Sequence, residues 1–244
     1  MVQASGKQPV KIGWIVDAPR ASFLYSEPKA VKAQRSIPLS ARAVQACPAI
    51  NEIERRLFEV PFPFDLHLSY ERDGDDHNLF AVPEGTRLDD ELVPHHVFLM
   101  KPEHWRAPTS PVIQIRAPYV FVADERVYIN QLPPFLDRRS ARWPGIMTAG
   151  RFPIDVWPRI LSWGFEWTNP EEDLVFRRGD PWFYVQFETE HPDQRVELVP
   201  AENTPELQEY RRGLSDVVKY TSNTFSLFDT AQMRRPAQLL KERR

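Results

Sequence analysis

The sequence predicts a mainly β protein: an antiparallel β-sandwich or jelly-roll-like barrel with a short N-terminal helix and a helical C-terminal tail. Three observations carry that expectation. Twenty-four prolines stand against nine glycines in 244 residues, and proline, which lacks a backbone donor and fixes φ, suits strand ends, edges and turns better than long helices. Short runs rich in β-branched and aromatic residues recur between turn residues as far as Val199, the spacing of an all-β domain. After Pro200 the composition changes and the apolar residues recur at helical spacing. The expected division is a β-rich unit over 1–200 and a helical extension over 201–244, packed on it or projecting from it.

Taken in order, Val10 to Val16 is a β-branched run ended by Asp17-Ala18-Pro19. Between Ser40 and Phe58 the apolar residues fall at helical intervals, interrupted at Pro48, which places a helix at about Ala49 to Arg56. Phe64 to Tyr70 alternates apolar and polar residues, a half-buried strand with Asp65, His67 and Ser69 on its polar face. Asp73-Gly74-Asp75 turns it back into a partner at Asn78 to Val82. Strands follow at Val97 to Met100 and Val112 to Ile115, and a hairpin is expected from Tyr119–Val122 and Arg126–Leu132 around Ala123-Asp124-Glu125. Ile146 to Trp157, with Gly150 and Pro153, reads as a bulged or edge strand. Four further strands are expected at Ile160–Trp167, Leu174–Arg177, Trp182–Glu188 and Arg195–Val199. Thr204-Pro205-Glu206 starts a helix carrying Leu207, Tyr210, Leu214, Val217 and Val218, and Ala231 to Arg244 is expected to form a second.

Composition narrows the function classes. A formal charge of −3 supplies no overall basic field for nucleic acid. A single cysteine, Cys47, rules out an internal disulfide framework and multi-cysteine metal sites; ahead of an apolar helix it is expected to be a small buried hydrophobe. No charged segment followed by an apolar one opens the chain, and no run approaches about 18 apolar residues, so a cytoplasmic protein without a membrane partner is expected. Nine acidic residues lie between Asp65 and Glu91 against Arg72 and Arg87, but Asp73-Gly74-Asp75-Asp76 lacks the spacing of a calcium loop and reads as a charged turn. Phosphate-loop, dinucleotide and nucleophile-elbow motifs do not occur.

The candidate ligand-binding residues are therefore few. Asp65 and His67 would meet a ligand if their strand face lines a cavity; the alternative is a solvated face. Arg138 and Arg139, with Arg142, precede Trp143-Pro144 and are suited to a carboxylate or phosphate beside an aromatic ring. No cofactor is expected on this reading. A second reading is a cupin-like metal enzyme in which a divalent metal is held by His67 with His95 or His96 and a carboxylate, although adjacent histidines on a strand would face opposite sides. His191-Pro192-Asp193 has a metal-ligand form but is read as a hairpin tip.

Cys47-Pro48-Ala49, Pro63-Phe64-Asp65, Gly150-x-Phe152-x-Ile154-Asp155-x-Trp157-Pro158-Arg159 and Arg178-Gly179-Asp180-Pro181 with Tyr184 resemble a group of uncharacterised proteins found in bacteria and tailed phages. The resemblance covers about residues 45 to 200 and implies one β-rich unit; it carries no activity and no catalytic residues. Three function classes stay open: a non-enzymatic module that binds a small molecule or a partner protein, the metal enzyme above, and an oligomeric structural component of a phage or other assembly.

Overall fold

The computed structural model describes residues 8–31, 46–74, 76–191, 193–220 and 224–243. Among them it is mainly β. In chain order the strands are β1 (Val10–Val16), β2 (Lys29–Ala30), β3 (Leu57–Pro61), β4 (Leu66–Asp73), β5 (Asp76–Ala81), β6 (Val97–Leu99), β7 (Val112–Ala117), β8 (Tyr119–Val122), β9 (Val127–Leu132), β10 (Ile146–Thr148), β11 (Gly150–Pro153), β12 (Leu161–Glu166), β13 (Leu174–Phe176), β14 (Pro181–Thr189) and β15 (Val196–Pro200). The helices are α1 (Pro48–Glu54), α2 (Val93–His96), α3 (Pro205–Tyr220) and α4 (Thr224–Arg234). None of them is long and apolar enough to cross a membrane.

Four sheets result, with strand orders β15-β1-β8, β10-β12-β7-β6, β11-β9-β14-β3-β2 and β13-β4-β5. All pairings are antiparallel except β1 with β15, which run parallel from Val10 beside Val196 to Trp14 beside Pro200. Two chain segments pass from one sheet to another at a bend. β7 leads into β8 at Pro118, and β10 leads into β11 at Ala149, so the sheets meet at shared corners. At the first corner the Pro118 carbonyl accepts the Asp17 N–H at 2.7 Å, tying it to the end of β1.

The expected hairpin at Ala123-Asp124-Glu125 does not form: β8 pairs with β1, while β9 pairs with β14 and β11. All four residues of β8 are buried, so this strand is covered on both faces and has no solvent side for a simple hairpin. Glu190 to Gln194 is likewise a connection between sheets, since β14 and β15 do not pair. Cys47 is exposed. It precedes Pro48 at the start of α1, a helix whose Ala49 and Ile53 are themselves exposed and which therefore offers the thiol no buried apolar site. The helical pattern between Ser40 and Gln45 lies outside the described residues, as do the side chains of Val217 and Val218.

The main core lies between the sheets and is aromatic. Trp163, Trp167, Trp182, Phe62, Phe165 and Phe176 are fully buried; Phe62 stacks on Phe176 at 4.2 Å and Trp163 on Phe165 at 5.1 Å. Such pairs each add about 0.5–1.5 kcal/mol beyond their area. β1 separates this core from a second one. Its alternation sends Val10 and Ile12 into the aromatic core, with Trp14 only partly buried against its edge, while Ile15 joins Val120, Val122 and Val199 beneath Leu207, Tyr210, Leu214 and Ala231 of the helices. Gly13 is on this helix side, where a Cβ would come within 2.7 Å of Ala201 and 2.8 Å of Val122.

Helix α3 starts as its sequence predicts, with Thr204 Oγ1 accepting the Leu207 N–H at 3.2 Å. Tyr210 fastens the layer by donating to the Val156 and Ala231 carbonyls, and burial pushes its hydroxyl up to about 12. The second helix differs from expectation. It ends at Arg234, because Pro236 cannot continue it and disfavours helical geometry at Arg235. Residues 235–243 instead run as an irregular strap. Arg235 donates to the carbonyls of Asp155 (2.5 Å), Asp124 (2.9 Å) and Ala123 (3.3 Å). Asp124 in turn accepts the Leu239 and Leu240 N–H groups, and Glu242 bridges to Ala201.

Candidate functional site

Three of the residues selected from sequence are engaged around the segment that joins β13 to β14. Asp65 Oδ1 accepts the Arg178 N–H at 2.8 Å. Arg139 pairs with Asp137 at 2.8 Å and with Asp180, and Asp180 closes a turn in which Gly179 has φ +85°. Trp143 lies edge-on to Phe176 and Trp163 and belongs to the core wall. Arg138 is exposed. These groups hold the Arg178-Gly179-Asp180 turn against its neighbours; they do not converge on an open site.

His67 is on the polar face of β4, as its alternation requires. Its Nε2 meets Asp173 Oδ2 at 2.6 Å, and a Cβ on Gly85 would lie 2.6 Å from His67 Cβ and 2.7 Å from Nδ1, so both ring nitrogens face protein. Asp173 also borders a polar groove of about 500 Å³ walled by Ser69, Tyr70 and Arg72. His95 and His96 are elsewhere, at the end of α2. The three histidines are thus not brought together, and among the described residues no three His, Cys, Asp or Glu side chains are placed to share a metal.

A larger cleft, about 630 Å³, opens where β1 ends against the start of α3. Its apolar wall includes Trp14, Ile15, Val16, Phe23 and Tyr25, and its polar wall is Asp17, Ser22, Glu202, Asn203, Gln208 and Arg243, with Glu202 paired to Lys241 at 2.6 Å. Asp17 is held on both oxygens: Arg211 donates to Oδ2 at 2.7 Å and Asn203 Nδ2 to Oδ1 at 3.4 Å. The Arg211 and Asp17 side chains keep only 11% and 24% of their exposure, so this ion pair is partly withdrawn from water, and removing either partner would leave a costly charge. Three buried polar atoms here lack a hydrogen-bond partner among the described residues: Trp14 Nε1, Asn203 Oδ1 and Arg211 Nε. Buried polar groups are ordinarily satisfied, so a cluster of orphans marks a place with unspent bonding capacity. Trp163 and Trp182 Nε1 are also orphaned, but within the aromatic core.

A smaller hollow of about 190 Å³ adjoins this cleft and shares Asp17 and Tyr25 with it. Its other walls are His95, His96, Arg116 and Pro118. Burial raises the Tyr25 hydroxyl above the ordinary tyrosine range, and the nearby Arg116 charge opposes the rise. The sequence reads Asp17 as the start of a loop and does not single out Arg211. A signal for Arg211 was present: it stands four residues after Leu207 and next to Tyr210, beside the buried stripe of α3. Asp17 and Trp14 carry no such local signal. No protein-family model matches the chain, and no curated protein matches it.

Proposed function

We propose that the chain is a β-sandwich module that binds a small molecule in the cleft around Asp17, without chemistry of its own. The sandwich reading is supported by an aromatic core enclosed between sheets that exchange strands at Pro118 and Ala149. The binding reading rests on one observation: Trp14 and Asn203, which line this cleft, and Arg211, which holds Asp17 in its wall, each leave a buried polar atom unpartnered among the described residues. Concave sites with a mostly apolar wall and a few fixed polar groups are where small ligands bind. The Asp17–Arg211 pair sets the polar wall in place before a ligand arrives, which lowers the ordering cost of binding.

The test is a fragment screen by thermal shift and protein-observed NMR on the full chain. Cleft ligands should perturb the Trp14 indole resonance, raise the melting temperature, and lose affinity in Asn203→Ala. A ligand at a hundred times its dissociation constant stabilises the fold by about 2.7 kcal/mol. Turnover of a bound compound, or ligands that map only to the groove beside Asp173, would overturn the proposal.

A further inference from the structure

Resting on that reading, we infer that the hollow beside the cleft is an oxyanion subsite, in which Arg116, His95 and His96 receive the carboxylate or phosphate of a ligand whose aromatic or apolar body lies in the main cleft. Arg116 is the last outward-facing residue of β7, opposite Ser162 of β12 and two residues before the Pro118 corner. Its guanidinium has no acidic partner among the described residues, unlike those of Arg56, Arg106, Arg139, Arg151 and Arg211. A planar guanidinium offers paired donors that match the two oxygens of a carboxylate or phosphate.

The two histidines reach the hollow because they are not on a strand. They are the last residues of the short helix α2, where successive side chains diverge by about 100° rather than alternating, and both line the same hollow. His96 Nδ1 is 3.0 Å from the Leu92 carbonyl, so Nδ1 carries a proton; in the imidazolium form Nε2 carries the second proton and donates it to a bound oxyanion. The one acid in the wall, Asp17, already has both oxygens engaged by Arg211 and Asn203, so its charge is compensated at the point where an anion would enter. Among the described residues, Asp17, Tyr25, Arg116, His95 and His96 are the titratable groups that line the hollow. Because the hollow and the cleft share Asp17 and Tyr25, one ligand can occupy both, its ring beside Tyr25, Phe23 and Trp14.

The experiment is isothermal titration calorimetry of the full chain with phenyl phosphate, benzoate and benzyl alcohol, the last being the uncharged control. At least one anion should bind about tenfold more tightly than benzyl alcohol, the gain expected from charge-assisted bonds. Preference between phosphate and carboxylate identifies the ligand's acid group. Arg116→Gln should erase that gain while leaving benzyl alcohol affinity unchanged, and His96→Gln should reduce it partly; circular dichroism and melting temperature check that both variants fold. Anions that bind no better than benzyl alcohol, or an Arg116→Gln variant that keeps the gain, overturn the subsite. If benzyl alcohol then still binds in a manner lost with Asn203→Ala, the cleft reading survives alone; if no probe binds, both fall.

Discussion

At Gly85 a single methyl would strike the ring of His67, whose other nitrogen is already held by Asp173. Gly85→Ala should therefore destabilise the fold by about 1–3 kcal/mol, the usual cost of forcing an atom into a packed site, and displace the His67 imidazole resonances. Gly145→Ala should cost more, because the atom met there is the Glu166 carbonyl oxygen, which is backbone and does not swing aside. Asp155 makes a prediction of opposite sign. It is 6% exposed, its Oδ1 has no partner among the described residues, and burial raises its carboxyl above the ordinary range. A carboxyl that binds its proton more tightly when folded favours the folded state below the unfolded pKa, and that contribution fades as pH rises through the folded pKa. Asp155→Asn should accordingly melt higher than the parent at neutral pH, with the difference shrinking as acid is added. Urea melts across that range would show it, and an unchanged difference would contradict the burial argument.

At the scale of elements, local pattern reads well and partnership does not. The sequence places β1 and β14 within a residue and β4 within three, since alternation and turn residues are local properties. It misplaces the connection at Ala123-Asp124-Glu125, because an acid between two strands looks like turn chemistry, whereas Asp124 is spent on the strap that covers the sheet. Strand geometry is likewise the wrong frame for His95 and His96, because a four-residue helix is too short to show a period. The strap can be tested directly. Asp124→Ala deprives the Leu239 and Leu240 amides of their acceptor, at a cost of about 1–3 kcal/mol for buried groups left unpaired, and hydrogen exchange should speed up over residues 235–243 before it does in α3. Removing the Thr204 cap with Thr204→Ala should cost about 1 kcal/mol and loosen the first turn of α3 instead.

For the molecule as a whole, the sequence shows a mainly β chain with helices after Pro200 but not the site. Asp65, His67, Arg139 and Trp143 stand out by local chemistry, and the fold spends them on fastening turns and core. The cleft gathers Trp14, Asp17, Asn203 and Arg211 from opposite ends of the chain, and what joins them is the parallel pairing of β1 with β15, which leaves no trace in any short window. That pairing also sets an order in time. Asp17 and Asn203 are 186 residues apart, and contacts of such long range are slow to form. During synthesis at about 5–20 residues per second, β1 would wait roughly ten to forty seconds for its partner, with Trp14 and its apolar neighbours uncovered. Nascent chains stopped before β15 should then lean on a chaperone, and the cleft around Asp17 would exist only in chains that have finished folding.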